Sequence, residues 1–300
     1  MKRTLQIAIA ALSRFAAGAM SLVRGARHLL GEIGTLLRPL GRPEAAARAT
    51  VTAVFTLSLR VAFSPADPVP GVLEYNPGIA AAAAGSLLWG IPAAWGAAGG
   101  ELLARILLRH GGWLTFFHCA ALFLFGAVIA ALAATGRRNH AGPVRQLAAV
   151  SAAAFPAALC AGGGVDLLGY YPFSYAGWII FAEYLVFGLL FGVPLCRWYA
   201  ARARRSPWPE WGADTAAPVR LRANRLAGGL AAAVLTFIAV SAIQWSRDRL
   251  PPFTPQLLGT SGGAVSRAVL GAGLFAAAGL LLTGLTPHRG AHTRPASLDE

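Results

Sequence analysis

The sequence predicts an all-α protein, a polytopic membrane helix bundle of about eight transmembrane helices. Three observations lead there. Of 300 residues, 56% are hydrophobic and only 13% charged, whereas soluble domains carry about a quarter charged residues. Apolar runs near 20 residues long recur along the chain, the length that crosses a hydrocarbon core of roughly 30 Å, and the mean hydropathy is +0.56. The net charge of +14 sits in the connectors between these runs. That placement fits cationic flanks beside anionic lipid and argues against a nucleic-acid partner.

Residues 1–44 read as a basic N-terminal segment. Within it Gln6, Ser13, Arg14, Ser21, Arg24 and His28 recur at spacings near three, four and seven, which a helix gathers on one face. An interfacial amphipathic helix is expected. The rival is a signal peptide with Lys2 and Arg3 as its charged start and Ala17 to Ala19 as a cleavage site. Its apolar part before Arg14 is short, and cleavage would export the next arginines against the charge rule.

Apolar spans follow near 45–63, 76–90, 92–109, 113–135, 146–166, 174–197, 225–245 and 265–286. Six fall in a membrane module at 45–198 and two in 225–286. Between them lies a cytoplasmic linker, 199–224, rich in Arg, Pro and Trp, and 287–300 is a polar tail. Only Trp89, Gly90, Ile91 and Pro92 separate the second and third spans, which predicts a tight hairpin. With the N-terminus inside, 20 of the 26 Lys and Arg residues face the cytoplasm. The expected location is the inner (plasma) membrane, multi-pass, with both termini cytoplasmic.

Phosphate-loop, HExxH, GxSxG and CxxC patterns are missing, so an ATP-hydrolysing role is not expected of this chain. Cys119, Cys160 and Cys196 are odd in number and lie in or at apolar runs, where free cysteines act as small packing residues. His118, Cys119 and Cys160 share a depth, yet no spacing within one helix resembles a chelating motif.

Ionisable groups at membrane depth are costly and therefore informative. Glu101 and Arg105 are four apart on one helix face, where they can neutralise each other or, equally, contact a substrate. Glu183 has no partner on its own helix within four residues. A small-molecule site is an apolar, aromatic-lined pocket with a few polar groups. That mixture is offered in the outer half by Glu74, Tyr75, Asn76, Trp113, His118, Asp166, Tyr171, Trp178 and Glu183. The preference of Tyr and Trp for the membrane interface explains Tyr170, Tyr171 and Trp178 equally well. Small residues recur every fourth position at Ala45, Ala49 and Ala53, and as GxxxG at Gly96 with Gly100 and Gly188 with Gly192, allowing close helix contact.

The run PGVLEYNPGIAAAAAGSLLWGIPAAWGAAGGELLARILLRHGG from Pro70, with the aromatic span after it, resembles the substrate-binding S components of energy-coupling factor (ECF) transporters. Asn76, Pro77 and Gly78 match a proline-bearing outer loop, Trp89 to Pro92 a short Gly-rich hairpin, and Ala94 to Gly100 a second Gly-rich helix. Residues 160–196 are similar to the last two helices of such proteins. The resemblance covers roughly residues 45–200. Where that family often carries Asn and Asp after the turn, this chain has Gly100, Glu101 and Arg105. The resemblance implies a six-helix S-component-like module, followed here by two additional C-terminal helices, that captures a vitamin-like micronutrient; it would not be an enzyme and would have no catalytic residue, cofactor or metal site. Its partners would be membrane lipid, the small-molecule substrate, a transmembrane coupling subunit and ATPase subunits, with Ala45, Ala49 and Ala53 as the coupling face. A membrane-embedded sensory module, or a structural or assembly membrane protein, is the alternative.

Overall fold

The computed structural model describes residues 34–69, 72–134, 142–203, 223–247 and 264–285. The expected amphipathic helix or signal peptide, most of the 199–224 linker and the polar tail lie outside these residues. Among the described residues there are nine α-helices: α1 (Pro43–Phe63), α2 (Gly78–Trp89), α3 (Ile91–Leu107), α4 (Trp113–Ala134), α5 (Pro143–Leu167), α6 (Phe173–Leu185), α7 (Val193–Ala203), α8 (Ala223–Arg247) and α9 (Ala264–Leu285). A seven-residue π-helical segment, Val186–Gly192, joins α6 to α7 without a break. Proline opens several helices where its missing N–H costs nothing, as at Pro43, Pro92 and Pro143.

Six segments are long and apolar enough to cross a membrane: Pro43–Ala66, Trp113–Ala133, Pro143–Leu167, Phe173–Arg202, Ala223–Ser246 and Val265–Leu285. The second and third of the eight expected spans are not among these six. There α2 has 12 residues and α3 has 17, the latter carrying Glu101 and Arg105. At 1.5 Å per residue α2 is only about 18 Å long. These two helices form the hairpin expected from the sequence, with Gly85 of α2 facing Ala93 of α3. Gly90 turns the chain at φ 74°, ψ −145°, a conformation that only glycine adopts without strain.

Eleven of the 12 residues of α2 are buried, so it is apolar all round and forms the centre of the bundle. It packs against α1, α3, α4 and the helix running from α6 through α7. Close approaches fix the register. Gly96 and Gly100 of α3 lie against the backbone of Ala49 and Ala53 of α1, so these helices run parallel. Gly164 of α5 meets Phe117 of α4, Gly162 meets Gly177 of α6, and Gly192 meets Ala83 and the Ala80 backbone of α2. The last pair, α8 and α9, is antiparallel, with Gly229 against Leu281 and Gly273 against Thr236. Pro43 and Leu285 consequently lie at the same end of the bundle.

The connector from α1 to α2 does not stay at the helix ends. Gly78, which opens α2, packs against Thr56, seven residues before the end of α1 at Phe63. That is roughly 10 Å along the helix axis. Leu73, Glu74 and Asn76 are accordingly buried, and the chain there has irregular backbone among packed helices. Irregular backbone at membrane depth requires protein groups to take its hydrogen bonds.

The α1–α3 seam predicts a sharp contrast between neighbouring glycines. A side chain at Gly96 would place Cβ 2.1 Å from the Ala49 carbonyl oxygen, whereas Gly99 has nothing within 4 Å. Gly96→Leu should cost at least about 1–3 kcal/mol by overpacking, and Gly99→Leu should behave as wild type. Thermal unfolding of the detergent-solubilised variants measures both.

Candidate functional site

Carboxylates and guanidinium groups from the connector and three helices converge at the end of the bundle bearing Arg60. Arg60 of α1 and Arg105 of α3 are both fully buried, an arrangement stable only with close counter-charges. Arg60 donates to both oxygens of Asp67, at 3.3 and 2.9 Å, and lies 2.8 Å from Glu74 Oε2. Arg105 Nη2 donates to that same Glu74 oxygen. Its Nε donates to Glu101 Oε1 at 2.7 Å, the pairing expected one helical turn apart. His110, in the α3–α4 turn, places Nδ1 2.8 Å from Glu74 Oε1.

The same side chains receive the connector backbone. Asp67 Oδ1 accepts the Tyr75 N–H at 2.9 Å, and Arg60 Nη1 donates to the Tyr75 carbonyl at 3.4 Å. The Asn76 N–H donates to Glu183 Oε1 of α6. Asn76 Nδ2 donates to Glu101 Oε2 at 2.8 Å. Four carboxylates, Asp67, Glu74, Glu101 and Glu183, therefore gather around two guanidinium groups.

The nine residues expected to form one ligand site separate. Glu74, Asn76 and Glu183 join the cluster directly, and a ring nitrogen of His118 comes within 4.8 Å of oxygens of Glu74 and Glu101. Tyr75 contributes only its backbone, with its side chain exposed. Trp113 is 78% exposed at the start of α4. Asp166, Tyr171 and Trp178 make other contacts. Tyr171 packs against Tyr175, with centroids 6.1 Å apart.

Asp166 serves the docking of the last two helices. It accepts the Phe173 N–H at 3.1 Å and Gln244 Nε2 of α8 at 2.6 Å on Oδ2, with Arg267 of α9 3.5 Å from Oδ1. Gln244 Oε1 in turn accepts the Ser174 N–H at 2.6 Å. These bonds satisfy two of the orphan N–H groups that begin α6. Trp178 stacks on Trp245 of α8 with an interplanar angle of 9° and meets Phe237 edge-on at 4.9 Å. A stacked and edge-to-face aromatic set of this kind adds cohesion beyond buried area.

The alanine row expected to meet a partner is used within the chain. Ala49 and Ala53 receive Gly96 and Gly100, so the smooth face at those two positions is covered by α3. Arg60, Asp67 and His110 were not among the expected site residues. Arg60 carried the one usable signal, a lone arginine within an apolar span. At the opposite end, an apolar groove of about 420 Å³ is lined by Pro143, Leu147, Leu189, Val193, Pro194 and Arg197, and it touches none of the cluster.

Comparison of the chain with protein families, curated proteins and solved structures gave no match.

Removing one partner from a buried charge network leaves the others uncompensated, at a cost of about 3–5 kcal/mol. Arg105→Met should lower stability by that amount. Adding Glu101→Gln, which removes one stranded charge, should recover part of it. Denaturant unfolding of the two variants beside wild type reads the difference.

Proposed function

We propose that this chain is a substrate-capture subunit of the inner membrane, taking up a vitamin-like micronutrient and energised by partner ATPase subunits through a transmembrane coupling subunit. The observation that carries the reading is the buried connector. It runs at helix depth and is held by side-chain hydrogen bonds from Arg60, Asp67, Glu101 and Glu183, bonds that a polar solute can replace one for one. The Gly90 hairpin with its two Gly-rich helices adds support, since it has the shape expected from the resemblance to ECF S components.

Orientation follows from charge. Arg145, Arg197, Arg202 and Arg225 lie toward the end of the bundle away from Glu74. The positive-inside rule makes that end cytoplasmic and turns the connector outward, where a solute arrives. Four carboxylates facing two guanidinium groups favour a solute rich in N–H or O–H donors, or one carrying positive charge. The reading assigns binding and release, with no bond-making step.

Two measurements test it. A cysteine introduced by Ser206→Cys should react with a membrane-impermeant maleimide only after intact cells are permeabilised, and reaction from outside would overturn the orientation. For capture, mass spectrometry of the purified protein should identify a co-purified small molecule. Rebinding of that molecule should weaken about 10- to 100-fold in Glu183→Gln, the range set by losing a hydrogen bond to a charged group. Glutamine still accepts the Asn76 N–H, so the connector stays anchored while the carboxyl group goes. Unchanged affinity would remove Glu183 from the site.

A further inference from the structure

We propose that the ion-paired end binds a divalent transition-metal ion through Glu74, Glu101 and His118. One oxygen of each carboxylate and a ring nitrogen of His118 lie within 4.8 Å of one another. Ligand atoms about 2.0–2.2 Å from a shared ion sit roughly 3–3.5 Å apart, so small side-chain rotations close the set. The three residues come from the connector, α3 and α4, so an ion there ties together three separate pieces of chain.

A further observation points to a ligand. His118 Nε2 is shielded from solvent and has no hydrogen-bond partner among the described residues. Buried polar atoms are almost always satisfied, and an orphaned nitrogen on an imidazole that reaches two carboxylates calls for an occupant. The donor set selects the ion. Imidazole with carboxylate suits zinc or manganese, whereas thiolates would select softer ions and oxygen alone calcium or magnesium.

A second group, Asp67 with Glu74 and His110, is also compact, but its His110 Nδ1 already bonds Glu74. The ion site shares Glu74 and Glu101 with the capture reading but does not rest on it. A chain that binds ion but no solute, or solute but no ion, separates the two.

The test uses the full-length protein in detergent, stripped with chelator and titrated with zinc or manganese chloride alone. After gel filtration, elemental analysis should find one ion per chain. His118→Ala and Glu101→Gln should weaken binding by at least about tenfold, and Cys119→Ser should not change it. X-ray absorption at the zinc edge of the wild-type protein should show a nitrogen and oxygen shell containing imidazole, a readout independent of whether the variants fold. Failure to retain an ion, equal retention by folded His118→Ala and Glu101→Gln, or sulfur in the shell would each overturn the site.

Discussion

The carboxylate of Glu74, held between the guanidinium groups of Arg60 and Arg105, is the interaction on which one end of this protein depends. Each arginine is buried on a different helix, and neither helix alone supplies all the counter-charge it needs. Glu74 arrives from the connector and serves both. Because the arginines are fully buried, the connector must descend among the helices to reach them. Once there, its own backbone N–H groups need acceptors, and Asp67 and Glu183 supply these to Tyr75 and Asn76. Ion pairing and backbone satisfaction are one problem solved by the same few side chains.

That arrangement also requires α1 and α3 to lie unusually close. Gly96 and Gly100 let the backbones touch at Ala49 and Ala53, and the next two turns of each helix present Arg60 and Arg105 to a common partner. A bulkier α3 would separate the guanidinium groups before either reached Glu74. The small-residue row and the charged cluster are therefore successive stretches of one interface, the first setting the distance that the second uses.

Where helices start and stop along the chain is legible in the sequence, and which way their faces turn is not. The span limits, the Gly90 hairpin and the Glu101–Arg105 pair were all legible, because each depends on residues within one or two turns of each other. The partners of Arg60 were not. They lie 7 and 14 residues further on, in a connector whose descent leaves no periodic signal. Asp166 and Trp178 were grouped with Glu183 because they share a neighbourhood along the chain. They face α8 and α9 instead, and apolar periodicity does not say which neighbour a helix face will meet. Of the eight expected spans, the second and third do not reach spanning length: hydropathy registers the apolar character of α2 and α3 but not that a central hairpin can be shorter than the helices around it.

The π-helical stretch at Val186–Gly192 gives the long helix two phases. A π turn holds one residue more than an α turn, so each residue beyond it is rotated by about 100° from where an unbroken α-helix would carry it. Above the stretch, Glu183 is aimed at the connector, and below it Cys196 and Tyr199 pack around Trp89 at the far end of α2. A regular helix of the same residues would satisfy one of those targets and swing the other aside. Loss of a single residue from this stretch would act on the helix as a change of reading phase, leaving composition and length almost intact while unhooking one end from the core.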